Sequence, residues 1–408
     1  FIVFDEKLID GKFDIDGLEN FNIISVAPRD KTEFTSFEVY GFKYFAVFAV
    51  EGSIKIRSAS VIKAINPIKE PPALNCGDET LQKIYSAACN SARCNTLGIF
   101  MDCPSRERGG YIGDSYFSSQ SLYAFSGNTD VEDDFIENFV LADTPELPQG
   151  MLPMCYPADH PNGNYIPQWA FWFVLQLEQY AERNKGVNIE DYRKTVYGIL
   201  DYSKAYENEY GLLERLGGWN FVEWSKANKW TKGINFPSNM LYVRTLEIVA
   251  RLFGDAECSR KAASVKEKII QMSFNGRLFC DWAVRNEDGS ITVREDVSEV
   301  CQHYAFFCGI ADKESHGELF KTVLEKFGPY GEGIDGVEKL NAIMGIYIRM
   351  ELLSLWGKEE QLIDEIKGFF AKMAMLTGTI WEHRRLDKSL NHGVGAYIAA
   401  LLLKIYNK

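Results

Sequence analysis

From Asp78 to the end of the chain, apolar residues recur at three- and four-residue spacing in about a dozen separate stretches. This sustained helical period constrains the fold more than any other feature of the sequence. The expected helices span approximately 78–97, 114–126, 131–142, 166–184, 189–206, 238–254, 258–273, 297–309, 315–327, 340–356, 359–374 and 390–405. Start signals support several of them: Asp78 precedes Glu79, Ser238 precedes a long apolar stripe, and Gly254-Asp255 separates two neighbours. The connections alternate between tight turns and long loops. That alternation predicts a mainly α protein built as an (α/α)6 toroid, six inner helices ringed by six outer ones. A long α-solenoid is the alternative, but the chain has no internal repeat of the roughly 33–47-residue kind that solenoids show. In a closed ring, long loops at one end of the inner helices form a pocket. Here the long loops are 98–113, 143–165, 207–237 and 375–389.

The first 70 residues differ. Phe45 to Gly52 and Ile54 to Arg57 read as strand-like runs with a turn supplied by Glu51-Gly-Ser53, and Pro67 to Pro72 as a stiff connector. The expected organisation is therefore a β-strand region over 1–70, the end of a β-sandwich, followed by the helical domain over 71–408. Two further extended segments, Arg277 to Val284 and Ile291 to Val293 around Asp288-Gly289, predict a hairpin among the helices. The chain opens at Phe1 without an initiator Met or a signal sequence, so it reads as a piece of a longer polypeptide with more β structure ahead of it.

Charge excludes some partners. The formal net charge of −13 and the lack of any basic run disfavour nucleic acid and anionic membrane surfaces. The longest apolar runs fall short of the roughly 20 residues that a membrane helix needs. Nine scattered cysteines without paired spacing read mostly as buried thiols, and leave the compartment open. Aromatics make up 13% of the chain, and they either fill a core or form platforms for sugar rings.

Two polar clusters stand out. The first is Met101-Asp-Cys-Pro-Ser-Arg-Glu-Arg-Gly-Gly-Tyr-Ile-Gly-Asp114, which packs Asp102, Arg106, Glu107, Arg108 and Asp114 into one irregular loop. The residues alone leave open whether it is a solvated turn or a held catalytic loop. The second is Thr379-Ile-Trp-Glu-His-Arg-Arg385 with Ser389-Leu-Asn-His392, where Trp381 adjoins Glu382. Between them lie Tyr165 to Trp169 and Trp219 to Trp224. Tryptophans on helices usually belong to the core, whereas Trp219, Trp224 and Trp230 fall in an expected loop and point to ligand contact.

Two carboxylates from distant loops among aromatics suit glycoside hydrolysis, in which one acid protonates the leaving oxygen and a second carboxylate attacks or activates water. No HExxH or GxSxG is present, and no Walker loop or GxGxxG opens a strand-to-helix turn. The five histidines, His160, His303, His316, His383 and His392, are dispersed. Neither metal nor cofactor is expected; the expected partner is a neutral carbohydrate.

The stretch Asp102 to Asp114 resembles the signature DCPQR(D)ERLGWTGD of the glycoside hydrolase family 78 α-L-rhamnosidases. Thr379-Ile-Trp-Glu382 resembles that family's T-x-W-E, and Ser389-Leu-Asn-His392 its S-x-N-H; similarity runs from about Gly41 to the C-terminus. The resemblance implies an (α/α)6 domain releasing terminal α-L-rhamnose with inversion. It implies Glu107 as general acid and Glu382 as general base. Asp102, Arg106 and Asp114 would bind sugar hydroxyls or set the acid's environment. Trp169 and Trp219 would wall the pocket and His392 would support it; the aromatics Tyr111, Trp224 and Trp381, close in sequence to the candidate acids, are expected from the residues themselves to line it with them.

Three departures shift the emphasis from rhamnosidase to glycosidase. Tyr111 stands where the family has Trp, one acidic residue of the longer motif is missing, and the triplet near Trp169 reads Trp169-Ala-Phe171 instead of W-G-D. A different neutral or deoxy sugar is therefore an alternative. So is a non-catalytic carbohydrate-binding protein on a degenerate toroid, although both candidate carboxylates are retained. A polysaccharide lyase would call for a basic subsite, which the acidic balance disfavours.

Overall fold

The structure, a computed structural model, describes residues 1–13, 22–27, 32–67, 69–157 and 163–407. His160 lies outside these. Among them are twelve α-helices: α1 (Glu79–Cys94), α2 (Ile112–Ser126), α3 (Asp130–Leu141), α4 (Pro167–Arg183), α5 (Arg193–Lys204), α6 (Phe236–Phe253), α7 (Ala256–Ser273), α8 (Glu299–Phe307), α9 (Gly317–Glu325), α10 (Gly345–Leu355), α11 (Glu359–Thr377) and α12 (Tyr397–Tyr406).

The even-numbered helices close a ring. α2 packs on α4, α4 on α6, α6 on α8, α8 on α10, α10 on α12, and α12 back on α2. The odd-numbered helices lie outside, as with α7 on α6 and α1 on α11 and α12. Burial separates the two sets. Inner helix α4 buries a continuous run from Pro167 to Leu177, whereas outer helix α7 buries only Cys258, Ala262, Val265, Ile269 and Ser273, a single stripe. This is the expected six-hairpin toroid.

Caps fix the helix starts. The Asp78 carboxylate accepts the Thr80 and Leu81 N–H groups, and the Asp255 carboxylate those of Glu257 and Cys258. α6 begins earlier than expected, because Asn235 and not Ser238 is the cap: its side chain accepts the Ser238 N–H and leaves Pro237 in the first turn. The last helix begins later than expected, after a 3-10 turn at Gly393–Ala396, because residues 389–393 are held by contacts outside the helix.

The N-terminal region forms β1 (Ile2–Asp5), β2 (Leu8–Ile9), β3 (Lys12–Phe13), β4 (Asn22–Ile24) and β5 (Tyr44–Val47), with a three-stranded antiparallel sheet in the order β4-β1-β5. The strand expected at Ile54 to Arg57 is not formed. Residues 48–67 carry no helix or strand, since no strand among the described residues supplies a ladder for their backbone, and Ile54, Ile56 and Val61 are exposed. Among the helices, β6 (Ile234–Asn235), β7 (Trp282–Arg285) and β8 (Ile291–Val293) form an antiparallel sheet, so the expected hairpin is present but its first strand starts later. β9 (Val297–Ser298) and β10 (Val337–Glu338) pair in parallel. All nine cysteines are free thiols, and seven of them are buried.

The long loops all lead into the inner helices. Residues 95–111 precede α2, 205–235 precede α6, and 378–396 precede α12, so these loops gather at the N-terminal ends of the ring. Those ends carry partial positive charge, which favours carboxylates there.

Candidate active site

The loop between α1 and α2 is folded by its own backbone. Asp102 and Gly109 pair through the Asp102 N–H and the Gly109 carbonyl at 3.0 Å, and the Asp102 carboxylate accepts the Gly109 N–H at 2.8 Å. Between them the chain turns through Pro104 to Arg108, with Arg108 at φ +52°. Gly110 sits where a Cβ would lie 2.5 Å from the Tyr156 carbonyl oxygen, so glycine is required. The loop before α12 docks beside it: Gly393 donates its N–H to the Asp102 carbonyl at 2.6 Å, and Asn95 donates to the Asn391 side chain at 2.9 Å.

This docking brings Glu107 and Glu382 to one guanidinium. Arg106 Nη2 lies 2.8 Å from Glu382 Oε2 and 3.2 Å from Glu107 Oε2. The two carboxylate oxygens are therefore within about 6 Å of each other, the sum of those contacts. Their settings differ: the Glu382 side chain is 5% exposed and that of Glu107 32%. Glu382 also accepts the Ser389 N–H at 3.3 Å, and its own N–H donates to the Ser389 carbonyl.

Two more carboxyls converge on the pair. Asp102 is buried, and burial together with the neighbouring Glu107 carboxyl holds it well above the usual carboxylate range. Asp114, in the first turn of α2, is pushed up to about 8 by burial and by the charges of Glu382 and Glu107. His392 Nδ1 stands 3.6 Å from Asp114 Oδ1, and burial plus the Arg106 charge lower its pKa to about 3. The site thus groups a half-buried carboxylate, a buried carboxylate, a shared arginine and two carboxyls disposed to keep their protons. That set is suited to general acid–base work. Asp102, Cys103 and Glu107 also bring ligand atoms within 4.8 Å of one another, the grouping among the described residues that could hold a cation. Burial holds the Cys103 thiol well above its usual value, which disfavours the thiolate a metal would take.

The aromatics divide. Trp169, 4% exposed, lies against Gly113, where a Cβ would come 2.9 Å from its ring, and meets Phe221 edge-on at 5.0 Å. Phe221 in turn contacts Trp219 at 5.9 Å and Trp224 at 4.9 Å, both of them more than 40% exposed. Trp230 is only partly buried, against the core. Tyr111 is half-buried beside Cys155, and burial raises its hydroxyl pKa, with Glu107 and Asp102 adding to the shift. Trp381 is fully buried, and its indole N–H donates to the Thr377 hydroxyl at 2.7 Å, so its ring packs in the core. Arg108 also leaves the site, pairing with Glu38 at 3.1 Å over the Tyr40 ring.

The sequence did not single out Gln168, whose side chain holds the aromatic loop. It donates to Asn220 at 2.8 Å and accepts the Phe221 N–H at 3.1 Å. Its place beside Trp169 at the start of an inner helix was the available signal.

A family model described as the bacterial alpha-L-rhamnosidase six-hairpin glycosidase domain matches residues 70–326, more than half of the chain. The chain belongs to this family. Among solved structures, this six-hairpin domain is similar to a family 78 rhamnosidase of Bacillus sp. GL1, with a TM-score of 0.70 and 20% identity over 84% of this chain and 36% of that one. It is similar to an α-L-rhamnosidase from Aspergillus terreus, with a TM-score of 0.69 and 14% identity over 99% and 49%. It is similar also to a rhamnosidase from Klebsiella oxytoca solved with rhamnose bound, with a TM-score of 0.66 and 13% identity over 83% and 66%. The chain thus spans between about a third and two thirds of these solved proteins. At such identities the likeness concerns the fold. No curated protein sequence matches the chain significantly.

Proposed function

We propose that this six-hairpin domain is an exo-acting glycoside hydrolase that releases terminal α-L-rhamnose with inversion, Glu107 serving as general acid and Glu382 as general base. The single observation that carries this reading is the sharing of Arg106 by these two carboxylates at one end of the helical ring. Glu107, the more exposed, is the group a leaving oxygen can reach. Glu382, buried and fixed through Ser389, is the group that can orient a water. Asp102, Arg106 and Asp114 bind sugar hydroxyls or tune the acid, His392 supports Asp114, and Tyr111, Trp169, Trp219 and Trp224 flank the sugar.

Inversion requires the carboxyls to stand roughly 6.5–9.5 Å apart so that water fits beside the anomeric carbon. The shared Arg106 contact holds the near oxygens closer than that. A sugar whose hydroxyls take over the Arg106 donor releases Glu107, which is held by the longer contact, and opens the gap. The departures at Tyr111 and Phe171 favour a second reading in the same class, a glycosidase for another neutral or deoxy sugar.

A panel of aryl glycosides with proton NMR of the first-formed sugar tests both. Release of rhamnose with its anomeric configuration inverted supports the proposal. Release of another sugar supports the second reading, and a product retaining the substrate's configuration overturns inversion. Tight rhamnoside binding without turnover makes the chain a binding protein.

A further inference from the structure

One buried carboxylate near the site belongs neither to the helical ring nor to its loops. β1 ends at Asp5, whose side chain accepts the Glu6 N–H at 2.7 Å and whose carbonyl accepts the Lys43 N–H at 3.0 Å. This local turn drives the Glu6 side chain out of the sheet and into the seam between the loop before α2 and the loop before α12. There it is 6% exposed. Its Oε1 accepts the Ser105 hydroxyl at 2.6 Å, and its Oε2 accepts the Leu390 N–H at 2.6 Å. Ser105 immediately precedes Arg106. Leu390 follows Ser389, the residue that exchanges hydrogen bonds with Glu382.

We propose that Glu6 is a positioning residue: from the N-terminal sheet it ties the Ser105 and Leu390 segments together, and so fixes Glu107 and Glu382 about Arg106. The proposal rests on the roles given to Glu107 and Glu382 above. Neighbouring contacts brace the same seam. Asn22 donates to the Ser105 carbonyl at 2.6 Å, Gly41 to the Pro104 carbonyl at 2.8 Å, and Lys7 to the Leu386 carbonyl at 3.4 Å. Glu6 bonds both loops from the N-terminal sheet through one rigid group. A carboxylate plane with an acceptor at each end sets the spacing of its two donors, which a pair of separate bonds would not do. Burial and the adjacent Asp5 carboxylate raise Glu6, while its two hydrogen bonds and Arg106 oppose them, leaving it at about 7.

The experiment compares Glu6→Ala, Glu6→Gln and the control Glu38→Ala, which removes an exposed carboxylate that pairs with Arg108 and lies beside Tyr40, away from Ser105 and Leu390. Aryl rhamnoside kinetics are combined with amide hydrogen exchange over residues 102–110 and 382–392. Misplacement by about an ångström costs up to roughly a hundredfold in rate, so Glu6→Ala is expected to lower kcat about 10- to 100-fold with KM within about threefold. It is also expected to lose exchange protection in both loops together. Glu6→Gln is expected to rescue both, because its carbonyl accepts the Leu390 N–H and its amide donates to the Ser105 oxygen, whose hydroxyl is free to rotate. Glu38→Ala is expected to change neither loop. Unchanged protection in Glu6→Ala overturns the tie itself, whether or not the protein turns over any glycoside. Lost protection with unchanged kcat overturns the positioning role. If the unaltered protein hydrolyses no glycoside, the proposed function fails on its own while the exchange measurement still decides the tie.

Discussion

His392 Nδ1 and Asp114 Oδ1 lie 3.6 Å apart with both side chains buried, within ion-pair range but beyond a hydrogen bond, and neither atom has a hydrogen-bond partner among the described residues. The pair is held neutral, because burial lowers the histidine to about 3 and raises the aspartic acid to about 8. Each group then draws stability from its uncharged form. The folded state binds more protons at Asp114 than the unfolded chain does between about pH 4 and pH 8, so stability falls as pH rises through that window. At His392 the unfolded chain binds more between about pH 3 and pH 6.5, so stability rises there. Melting curves of Asp114→Asn are expected to show a weaker decline from pH 6 to pH 8 than the unaltered protein. An identical decline would assign the alkaline loss to other buried acids, such as Asp281.

Removing either carboxylate that shares Arg106 separates the two proposed roles. Glu107→Gln and Glu382→Gln are each expected to lower kcat by about 10²- to 10⁴-fold on an aryl rhamnoside. An activated leaving group needs less protonation, so it is expected to restore Glu107→Gln more than Glu382→Gln. Equal turnover of all three proteins would remove both residues from the mechanism.

Arg106 is the hinge of the site, and lysine does not replace it. Both contacts come from the one Nη2 atom, whose N–H directions the planar guanidinium fixes, whereas a lysine ammonium on a flexible stem fixes none. Arg106→Lys is expected to cost about 10- to 100-fold in kcat. Arg106→Ala strands a buried Glu382, and a loss of about 3 kcal/mol is expected in denaturant unfolding, at the low end for a broken buried pair because Arg106 is partly exposed.

Trp219 and Trp381 make a contrasting pair. Trp381→Ala empties a fully buried site and is expected to cost about 3–5 kcal/mol of stability. Trp219→Ala is expected to leave melting nearly unchanged and to raise KM several-fold, since its ring is 42% exposed at the mouth of the aromatic loop. The opposite pattern would exchange their assignments.

Gly393 tests how closely the two loops must approach. A Cβ there would lie 2.2 Å from the Met101 carbonyl oxygen, a backbone atom that has no room to yield. Gly393→Ala is expected to cost about 1–3 kcal/mol and to lower kcat by forcing the loops apart. Wild-type kinetics in a stable Gly393→Ala protein would show that the separation is not critical.

The toroid was legible because its signal is local. A helix declares itself through the spacing of its own apolar residues; α1 begins just after Asp78 as expected, and α7 begins at Ala256, two residues before the expected 258, because Asp255 caps it. The Asp102 to Asp114 cluster was legible for the same reason, since its residues are close in sequence. What stayed hidden depends on distant partners. Trp381 sits next to Glu382 in sequence, yet the chain turns one side chain toward Arg106 and the other into the core. Glu6 lies 99 residues from Ser105 and 384 from Leu390, and nothing local distinguishes it from any acid at a strand end. Ile54 to Arg57 has strand composition without a strand, because a ladder needs a neighbour that composition does not supply.

The ring closes where α12 packs on α2, and that closure puts Glu382 beside Arg106, 276 residues earlier in the chain. Every residue proposed to act on a sugar precedes α12, yet none of them has a common frame until that helix docks. On the proposed function, a growing chain remains silent until α12 has emerged and docked. A single proteolytic cut that frees α12 would likewise silence the domain with its full set of site residues still attached, so activity reports on the integrity of the whole ring.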